Sequence, residues 1–387
     1  MKGSRPDASY MPQLDSLRAV AVLAVMINHW LPDFLGFHPW GDLGVRCFFV
    51  LSGFLITGIL LRARSEIDGG RSTRWRQFRQ FYVRRCLRIF PIYYLTLVVA
   101  VIVGVQVARD SFSWHFFYAS NFYFAQRNDW NGSVSHLWSL SVEEQFYLLW
   151  PALVFLAPRK ALPALFAAGI VAAAAARLGM AAWLGPQNVS VHVLLPCCLD
   201  QLMTGALLAL LISPEGAKWA SNTTLRKFWP AIPLLMAVEL CAENAFADSG
   251  GAGASWTLAV LGPTVQALFF AALVGACARG VPGVTGRIVG NPALRYLGRI
   301  SYGLYLYHLF VEYAVKHLEP YLARHGFRMP DERAARFFIL FVITLAVASL
   351  SARFVERYFN NLKRFFPSEE PAPAPPQPIR VGPVSDR

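Results

Sequence analysis

Long runs of apolar residues alternate along this chain with short polar segments that are rich in arginine. A helix of about 20 mainly apolar residues is long enough to cross the hydrocarbon core of a bilayer. By that criterion the pattern predicts ten membrane-spanning helices, at residues 14–33, 43–62, 88–108, 137–157, 161–184, 191–213, 229–246, 255–278, 298–317 and 335–355. The predicted fold class is therefore all-α, a polytopic integral membrane bundle of about ten transmembrane helices.

The distribution of positive charge predicts how this bundle is oriented. With the N-terminus in the cytoplasm, most Lys and Arg residues fall in cytoplasmic segments, and the longest of these, residues 62–88, contains nine of them. Cytoplasmic loops of membrane proteins carry such an excess, so we expect both termini in the cytoplasm. The expected organisation is a cytoplasmic segment at 1–13, a membrane domain at 14–359 and a proline-rich, disordered cytoplasmic tail at 360–387.

Composition supports a membrane protein and narrows its partners. Of the 387 residues, 55% are hydrophobic and only 15% are charged, whereas about a quarter are charged in a typical soluble protein. The net charge of +13 comes mainly from the short loops, which favours membrane lipids over nucleic acid as partners. The six cysteines are scattered without a CxxC pair, so we predict neither a metal site nor a disulfide framework.

The first apolar run, LDSLRAVAVLAVMINHW, contains two ionisable residues, Arg18 and His29. Their separation corresponds to about three helical turns, so both side chains share one face and lie roughly 16 Å apart. Ionisable residues inside a membrane are costly and are commonly functional. Arg18 and His29 are therefore candidates for catalysis. The alternative is that both side chains snorkel to the membrane surfaces from the ends of an anchor helix.

The fourth run begins HLWSLSVEEQFYLLWP and places polar residues at a depth comparable to that of His29. His136, Ser139 and Glu143 fall on one helix face. A carboxylate beside an imidazole raises its basicity and fixes its tautomer, so we expect Glu143 or Glu144 to orient His29 as a general base. The alternative is a structural ion pair, or two acids favoured by a helix N-terminus.

The segment FYVRRCLRIFPIYY carries three arginines, Arg84, Arg85 and Arg88, where the third span is predicted to begin. Guanidinium groups match the geometry of phosphate oxygens, so these residues are candidates for binding a phosphate-bearing ligand. The alternative is that they anchor the chain at the cytoplasmic surface or bind anionic lipids.

Two further runs contain polar residues within apolar sequence. In GDLGVRCFFVLSGFLIT the small residues allow close helix approach, and Asp42 and Arg46 are four residues apart, so we expect them to pair. In ISYGLYLYHLF the tyrosines Tyr302 and Tyr305 suit a membrane-interface belt. His308 is placed at mid-span, where it either lines a cavity or is a satisfied core histidine.

In this order and at these depths, the five motifs resemble those of acyltransferase family 3. The members of this family are integral-membrane acyltransferases of bacteria. The resemblance extends from Leu14 to about Phe359. It implies O-acylation of a carbohydrate, most often O-acetylation, at the bacterial cytoplasmic (inner) membrane. Cytoplasmic acyl-CoA is the implied co-substrate, no cofactor is held permanently, and the implied acceptor is an extracytoplasmic carbohydrate or a glycolipid.

The resemblance also implies roles for individual residues. The family's motif of Arg or Lys, ten residues and His falls on Arg18 and His29, and its paired-arginine motif falls on Arg84, Arg85 and Arg88. We therefore expect His29, Glu143, Glu144 and Arg18 to be catalytic and Arg84, Arg85 and Arg88 to bind acyl-CoA. We expect the substrate to contact Ser139, His136, Trp138, Tyr302 and His308.

Two chemical routes are compatible with these residues. His29 either deprotonates the sugar hydroxyl or accepts the acyl group itself. Two other functions fit the same sequence: a proton-coupled transporter in which His29 and Glu143 or Glu144 form a relay, and a non-catalytic membrane scaffold.

Overall fold

The computed structural model describes residues 10–32, 34, 40–130, 132–214, 231–249, 252–326 and 328–366. Every regular element in these residues is helical. The long α-helices are α1 Pro12–Trp30, α2 Trp40–Asp68, α3 Arg74–Val103, α4 Leu137–Leu156, α5 Leu162–Leu184, α6 Leu195–Ile212, α7 Ala231–Ser249, α8 Ala252–Arg279, α9 Ser301–Arg324 and α10 Arg333–Ser351. Each overlaps one of the ten predicted runs, so the all-α prediction is confirmed. The predicted N-terminal segment at 1–13 and tail at 360–387 lie mostly outside the described residues.

Short helices connect the long ones. They are Gln106–Asp110, Phe112–Phe116 and Ser120–Arg127 between α3 and α4, Ser190–Val193 before α6, Gly283–Val289 and Pro292–Arg299 between α8 and α9, and Arg357–Asn361 after α10. Single turns of 3₁₀-helix lie at Gly132–Val134, Arg159–Ala161 and Leu362–Phe365, and a π-helical turn lies at Ala352–Glu356. Proline occupies one of the first two positions of α1, α5 and α6, where its missing N–H costs nothing and its fixed φ suits a helix start.

Within the described residues, six helices are long and apolar enough to cross a membrane. They are α2, α3, α5 and α6 with the short turns that precede them, α8 from Trp256, and α10 with the turns that follow it to Phe365. The helices α1, α4 and α9 are 19, 20 and 24 residues long but carry polar residues in their interiors. In α7 the apolar part is Pro233–Ala242. The protein is therefore a multi-pass membrane protein.

The basic segment between the second and third runs differs from the prediction. It was expected to be a loop over residues 62–88, but α2 continues to Asp68 and α3 begins at Arg74. The Thr73 side chain caps α3 by accepting a hydrogen bond from the Arg76 backbone N–H at 3.3 Å, which satisfies one of the unpaired donors at a helix start. Arginines are good helix formers, so charge alone did not interrupt the helix. Consequently, Arg84, Arg85 and Arg88 lie inside a continuous helix.

The helices α2 and α6 cross at close range in the centre of the bundle. A Cβ atom at Gly53 of α2 would collide with the carbonyl oxygen of Leu202, and one at Gly205 of α6 would collide with that of Val50. Glycines at these positions let the two backbones approach closely. Because α1 and α4 also pack against α2, and α9 packs against α1, the helices with polar motifs surround this crossing.

Candidate active site

Three arginines from two helices line one cavity. This cavity has a volume of about 180 Å³ and lies between α1, α2, α3, α4 and α9. We call it the arginine cavity. Its charged and aromatic polar lining includes Arg18, Arg85, Arg88, Glu143, Tyr147 and Tyr302, and the rest of its wall is largely apolar. The side chains of Arg18, from the first motif, and of Arg85 and Arg88, from the third, are thus brought together by tertiary packing.

The arginines of this cavity are not neutralised by salt bridges. Among the described residues, Arg18, Arg85 and Arg88 form no ion pair with a carboxylate within 4 Å. By contrast, the buried Arg177 is paired with Asp200 at 2.8 Å. The cavity lining contains three guanidinium groups and one carboxylate, that of Glu143. An excess of buried positive charge is costly, so the arginine cavity is suited to an anionic ligand.

Of the two glutamates of α4, Glu143 lines the arginine cavity. Glu143 accepts a hydrogen bond from the Ser52 hydroxyl, which in turn accepts one from the Tyr147 hydroxyl at 2.9 Å. Glu144 lies in the electrostatic field of Arg85. The Arg85 guanidinium lies 3.8 Å from the centre of the Tyr147 ring, a cation–π contact that holds it in place.

Arg84 is separated from its two neighbours in the motif. Its guanidinium donates a hydrogen bond to the carbonyl oxygen of Phe366 at 2.8 Å, and Arg84 does not line the arginine cavity. Residues 84 and 88 share a helix face, but the C-terminal turn at Leu362–Phe365 covers the outer part of that face near Arg84. Two of the three predicted arginines therefore face the cavity.

A second, larger cavity contains the candidate base. It has a volume of about 540 Å³, and we call it the histidine cavity. Its lining includes His29, Trp130, His136, Trp138, Glu312 and Lys316. Of the residues expected to contact substrate, His136 and Trp138 line this cavity, whereas Ser139 and Tyr302 line the arginine cavity.

His29 belongs to a cluster of three histidines. The ring centres of His29 and His308 are 5.0 Å apart, and those of His308 and His136 are also 5.0 Å apart. His308 is fully buried and lines neither cavity, so its predicted contact with substrate is replaced by contacts with the other two rings.

Hydrogen bonds to backbone carbonyl oxygens determine the tautomers of this cluster, because a carbonyl oxygen only accepts. Nδ1 of His308 lies 2.6 Å from the Tyr305 oxygen and therefore carries a hydrogen, which leaves Nε2 of neutral His308 as an acceptor. Nδ1 of His29 lies 2.9 Å from the Val25 oxygen and 3.2 Å from Nε2 of His308, so its N–H is shared between them. The remaining nitrogen of His29, Nε2, keeps its lone pair, as a base or nucleophile requires.

The structure gives His29 a different side-chain partner from the expected Glu143 or Glu144. The side chain that reaches the His29 ring is His308, from α9, and His136 likewise donates through Nε2 to the Leu306 oxygen of α9 at 3.1 Å. Periodicity correctly placed His136 and Glu143 on the same helix. Periodicity did not show which helices surround α4. In the structure α9 packs against the start of α4, whereas α2 and α3 face the second turn of α4. The proton relay from His29 to these glutamates loses its support for the same reason.

Only a thin wall separates the two cavities. Val45 and Tyr305 line both of them. The hydroxyl groups of Tyr305 and Ser139 are 2.6 Å apart, and both lie within hydrogen-bond distance of the His136 carbonyl oxygen. Tyr305 is thus a divider between the cavities rather than part of an interfacial belt.

Several polar residues near the site were not identified from the sequence. Glu312 lines the histidine cavity and pairs with Lys316 at 2.6 Å. A signal for it existed: Glu312 follows His308 by four residues and therefore shares its helix face. Trp130 packs edge-on against Trp138, with ring centres 6.1 Å apart; it lies in a connecting segment, where periodicity gives no indication.

Another histidine is structural. His115 is fully buried, and its two ring nitrogens lie 2.8 and 2.7 Å from the hydroxyl groups of Ser111 and Ser120. Burial away from charge lowers the pKa of His115 to about 4. It lines none of the cavities described here, so it joins the short helices of the α3–α4 connection to one another.

Comparison with known proteins identifies the family. The profile of an acyltransferase domain, that of acyltransferase family 3, matches residues 11–353. Peptidoglycan O-acetyltransferase OatA of Listeria monocytogenes is 41% identical over 178 residues, which are 40% of this chain and 26% of that protein. Putative peptidoglycan O-acetyltransferase YrhL of Bacillus subtilis is 31% identical over 332 residues, 77% of this chain and 48% of that protein.

A third relative is similar over a longer stretch. Putative O-acetyltransferase SAS0844 of Staphylococcus aureus is 28% identical over 380 residues, 91% of this chain and 58% of that protein. The chain thus spans between 26% and 58% of the length of these three relatives. No solved structure matches.

The family profile covers nearly the whole membrane bundle, including the helices that form both cavities. The chain therefore belongs to acyltransferase family 3.

Proposed function

We propose that this protein is an acyltransferase that moves an acyl group, most simply acetyl, from cytoplasmic acyl-CoA to a hydroxyl of an extracytoplasmic or lipid-linked carbohydrate. The observation that carries the proposal is the pair of adjoining cavities with opposite chemistry. One contains three arginines that form no salt bridge with any carboxylate of the described residues, and the other contains a histidine with an available lone pair beside two tryptophans. The relatives' names, which include peptidoglycan O-acetyltransferases, support a glycan as the acceptor.

The proposed topology has all ten long helices spanning the bacterial cytoplasmic membrane, with both termini in the cytoplasm. Support comes from the position of α1, α4 and α9 among apolar helices, where polar residues face other protein groups rather than lipid. The excess of Lys and Arg in the connections that are predicted to be cytoplasmic supports this orientation. In this arrangement the arginine cavity is nearer the cytoplasm and the histidine cavity is nearer the outer surface.

Acyl-CoA is the proposed ligand of the arginine cavity. Its phosphates suit the guanidinium groups of Arg85 and Arg88, and the apolar wall suits its pantetheine arm. Two buried polar atoms in this wall, Nε of Arg85 and the hydroxyl of Tyr302, have no hydrogen-bond partner. A ligand with amide groups supplies such partners. We assign Arg18 to guiding the thioester or to stabilising the oxyanion that forms at its carbonyl group.

The chemical step is proposed to occur at Nε2 of His29. In the direct route, Nε2 takes the proton of the sugar hydroxyl while its oxygen bonds to the thioester carbonyl carbon. The C–S bond then breaks, and the proton passes to the departing CoA sulfur. In the covalent route, Nε2 bonds to the carbonyl carbon, the C–S bond breaks and CoA leaves as a thiolate. The sugar oxygen then bonds to the acyl carbon and the bond to Nε2 breaks. The freed Nε2 takes the hydroxyl proton, which passes to the CoA thiolate. Either route requires the Tyr305 side chain to turn aside.

Turnover of radiolabelled acetyl-CoA by the purified protein in nanodiscs tests this proposal. Free CoA and protein-bound label are followed with and without fragments of peptidoglycan and other cell-surface glycans. His29→Ala is expected to abolish transfer while acetyl-CoA still binds, and the exposed His325→Ala serves as control. Protein-bound label that depends on His29 indicates the covalent route. Normal transfer by His29→Ala, or flux of a solute without any consumption of acyl-CoA, would refute the proposal.

A further inference from the structure

A third cavity adjoins the histidine cavity. It has a volume of about 320 Å³, within the range of pockets for small molecules, about 300–1,000 Å³. We call it the side cavity. Four residues line both it and the histidine cavity, Asp42, Val45, Trp130 and Trp138. A ligand held at His29 can therefore extend into the side cavity without crossing a helix.

Two indole rings stand where these two cavities meet. The rings of Trp130 and Trp138 meet edge to face at an interplanar angle of 63°, and Trp138 also packs edge-on against Phe49 with centres 5.8 Å apart. Trp138 is thereby fixed, whereas Trp130 is 48% exposed and open to a ligand. The negative face of an indole attracts the weakly positive C–H groups of a pyranose ring, so this corner suits a sugar.

The charges of the side cavity are balanced. Arg177 is paired with Asp200 at 2.8 Å and also donates to the Cys197 carbonyl oxygen. Arg46 lies 3.6 Å from Asp42 and donates to the side-chain oxygen of Gln266. Each arginine thus has an aspartate partner, in contrast to the arginines of the arginine cavity. A ligand with its own charge gains little here, since each arginine is already compensated.

One polar atom of the side cavity has no hydrogen-bond partner among the described residues. Gln201 of α6 lines the cavity and is 3% exposed, and its Oε1 atom accepts no hydrogen bond. An unpaired buried acceptor is unfavourable, and a small local movement brings this oxygen within reach of a donor in the cavity. A hydroxyl group is a suitable donor, because it satisfies an acceptor without adding charge.

We propose that the side cavity binds an uncharged sugar residue next to the one that is acylated. The acceptor is then recognised as at least a disaccharide, with the reacting sugar beside His29 and its neighbour between Trp130 and Gln201. This inference rests on the proposed function, because it assumes that the histidine cavity holds a carbohydrate.

Binding of defined sugars to the protein in nanodiscs tests the inference. The probes are glucose, maltose and maltotriose, N-acetylglucosamine and its β-1,4-linked dimer and trimer, and a disaccharide that contains glucuronic acid. The neutral dimer of at least one series is expected to bind about tenfold tighter than its monomer, a difference of about 1.4 kcal/mol. Gln201→Ala is expected to bring the ratio of dimer to monomer affinity close to one. The control Gln106→Ala, a surface residue bonded to Asp110, is expected to leave the ratio unchanged.

Several outcomes would overturn the inference: equal affinity for monomer and dimer, tighter binding of the acidic disaccharide, no measurable binding of any probe, or a ratio that Gln201→Ala does not alter. CoA release from acetyl-CoA is measured in parallel. It shows whether only the sugar subsite is absent or whether the proposed function is wrong as well. If CoA release depends on glycan and on His29 but dimers are not preferred, only the proposed subsite is refuted. Absence of both acetyl-CoA binding and CoA release removes the proposed function as well.

Discussion

At the scale of single residues, the surroundings of an arginine distinguish a ligand-binding role from a structural one. Arg85 and Arg88 face a cavity and form no salt bridge with a carboxylate of the described residues, whereas Arg84 donates a hydrogen bond to the backbone carbonyl oxygen of Phe366. All three look equivalent in the sequence, since they lie within five consecutive positions. Their side chains point in different directions around one helix, and only the neighbouring helices decide what each direction contains.

This difference predicts unequal effects of mutation. Arg85→Ala is expected to raise the KM for acetyl-CoA by about 10- to 100-fold, because a hydrogen bond to a charged group contributes about 1.5–3 kcal/mol. The adjacent Arg84→Ala, which does not face the cavity, is the matched control and is expected to leave this KM within about twofold. Steady-state kinetics in nanodiscs measure both. An equal rise in KM for the two variants contradicts the assignment.

The position of His308 predicts a role in orienting His29. His308→Leu removes one of the two acceptors for the Nδ1 hydrogen of His29 and leaves only the Val25 carbonyl oxygen. We expect kcat to fall by about 100-fold, a magnitude typical of losing general-base catalysis. His308→Gln keeps a side-chain acceptor and is expected to retain more activity.

The profile of kcat against pH is the deciding measurement for His308. We expect its acidic limb to move in His308→Leu, because the basicity of His29 changes when its partner is lost. If both variants lose activity equally with an unchanged profile, His308 is a packing residue only.

At the scale of helices, the crossing of α2 and α6 depends on backbone contact. Gly53 and Gly205 leave no space for a Cβ atom because a carbonyl oxygen of the partner helix occupies it. The second run was recognised from its sequence as rich in small residues, and this prediction of close packing is confirmed. Which helix it packs against did not follow from the sequence, because small residues permit close approach without specifying a partner.

A pair of substitutions in α2 tests this crossing. Gly53→Ala is expected to destabilise the protein by about 1–3 kcal/mol, the usual cost of overpacking. Gly58→Ala on the same helix is the control, because the nearest atom to an added Cβ there is 3.8 Å away; alanine's higher helix propensity favours it by up to about 1 kcal/mol. Thermal unfolding in detergent compares the two. Equal stability of both variants argues against a tight α2–α6 contact.

At the scale of the whole molecule, the arginine cavity and the histidine cavity adjoin at Val45 and Tyr305. The proposed function requires the two cavities to open toward opposite sides of the membrane. The site of acyl transfer then lies within the protein, where neither substrate has to cross the bilayer intact.

Labelling of single cysteines tests this orientation. In a chain whose six native cysteines are replaced, Arg74→Cys marks the connection before α3 and Asp129→Cys marks the connection before α4. Both positions are exposed. On intact spheroplasts a membrane-impermeant maleimide is expected to label residue 129 and not residue 74, and permeabilisation is expected to expose residue 74. The opposite pattern, or labelling of both from outside, rules out the proposed topology.

The helical class, the approximate bounds of the long helices and the membrane character follow from the sequence alone, because these depend on local hydrophobicity and on backbone hydrogen bonds within each segment. The sequence also identified the charged residues of the arginine cavity and the two histidines of the histidine cavity, since polar residues in apolar runs are conspicuous. The partners of these residues depend on tertiary packing. His29 contacts His308 rather than Glu143, and Arg84 leaves the cavity that Arg85 and Arg88 line. The physical reason is that periodicity gives the face of a helix, whereas the helix that packs against that face is chosen by long-range packing.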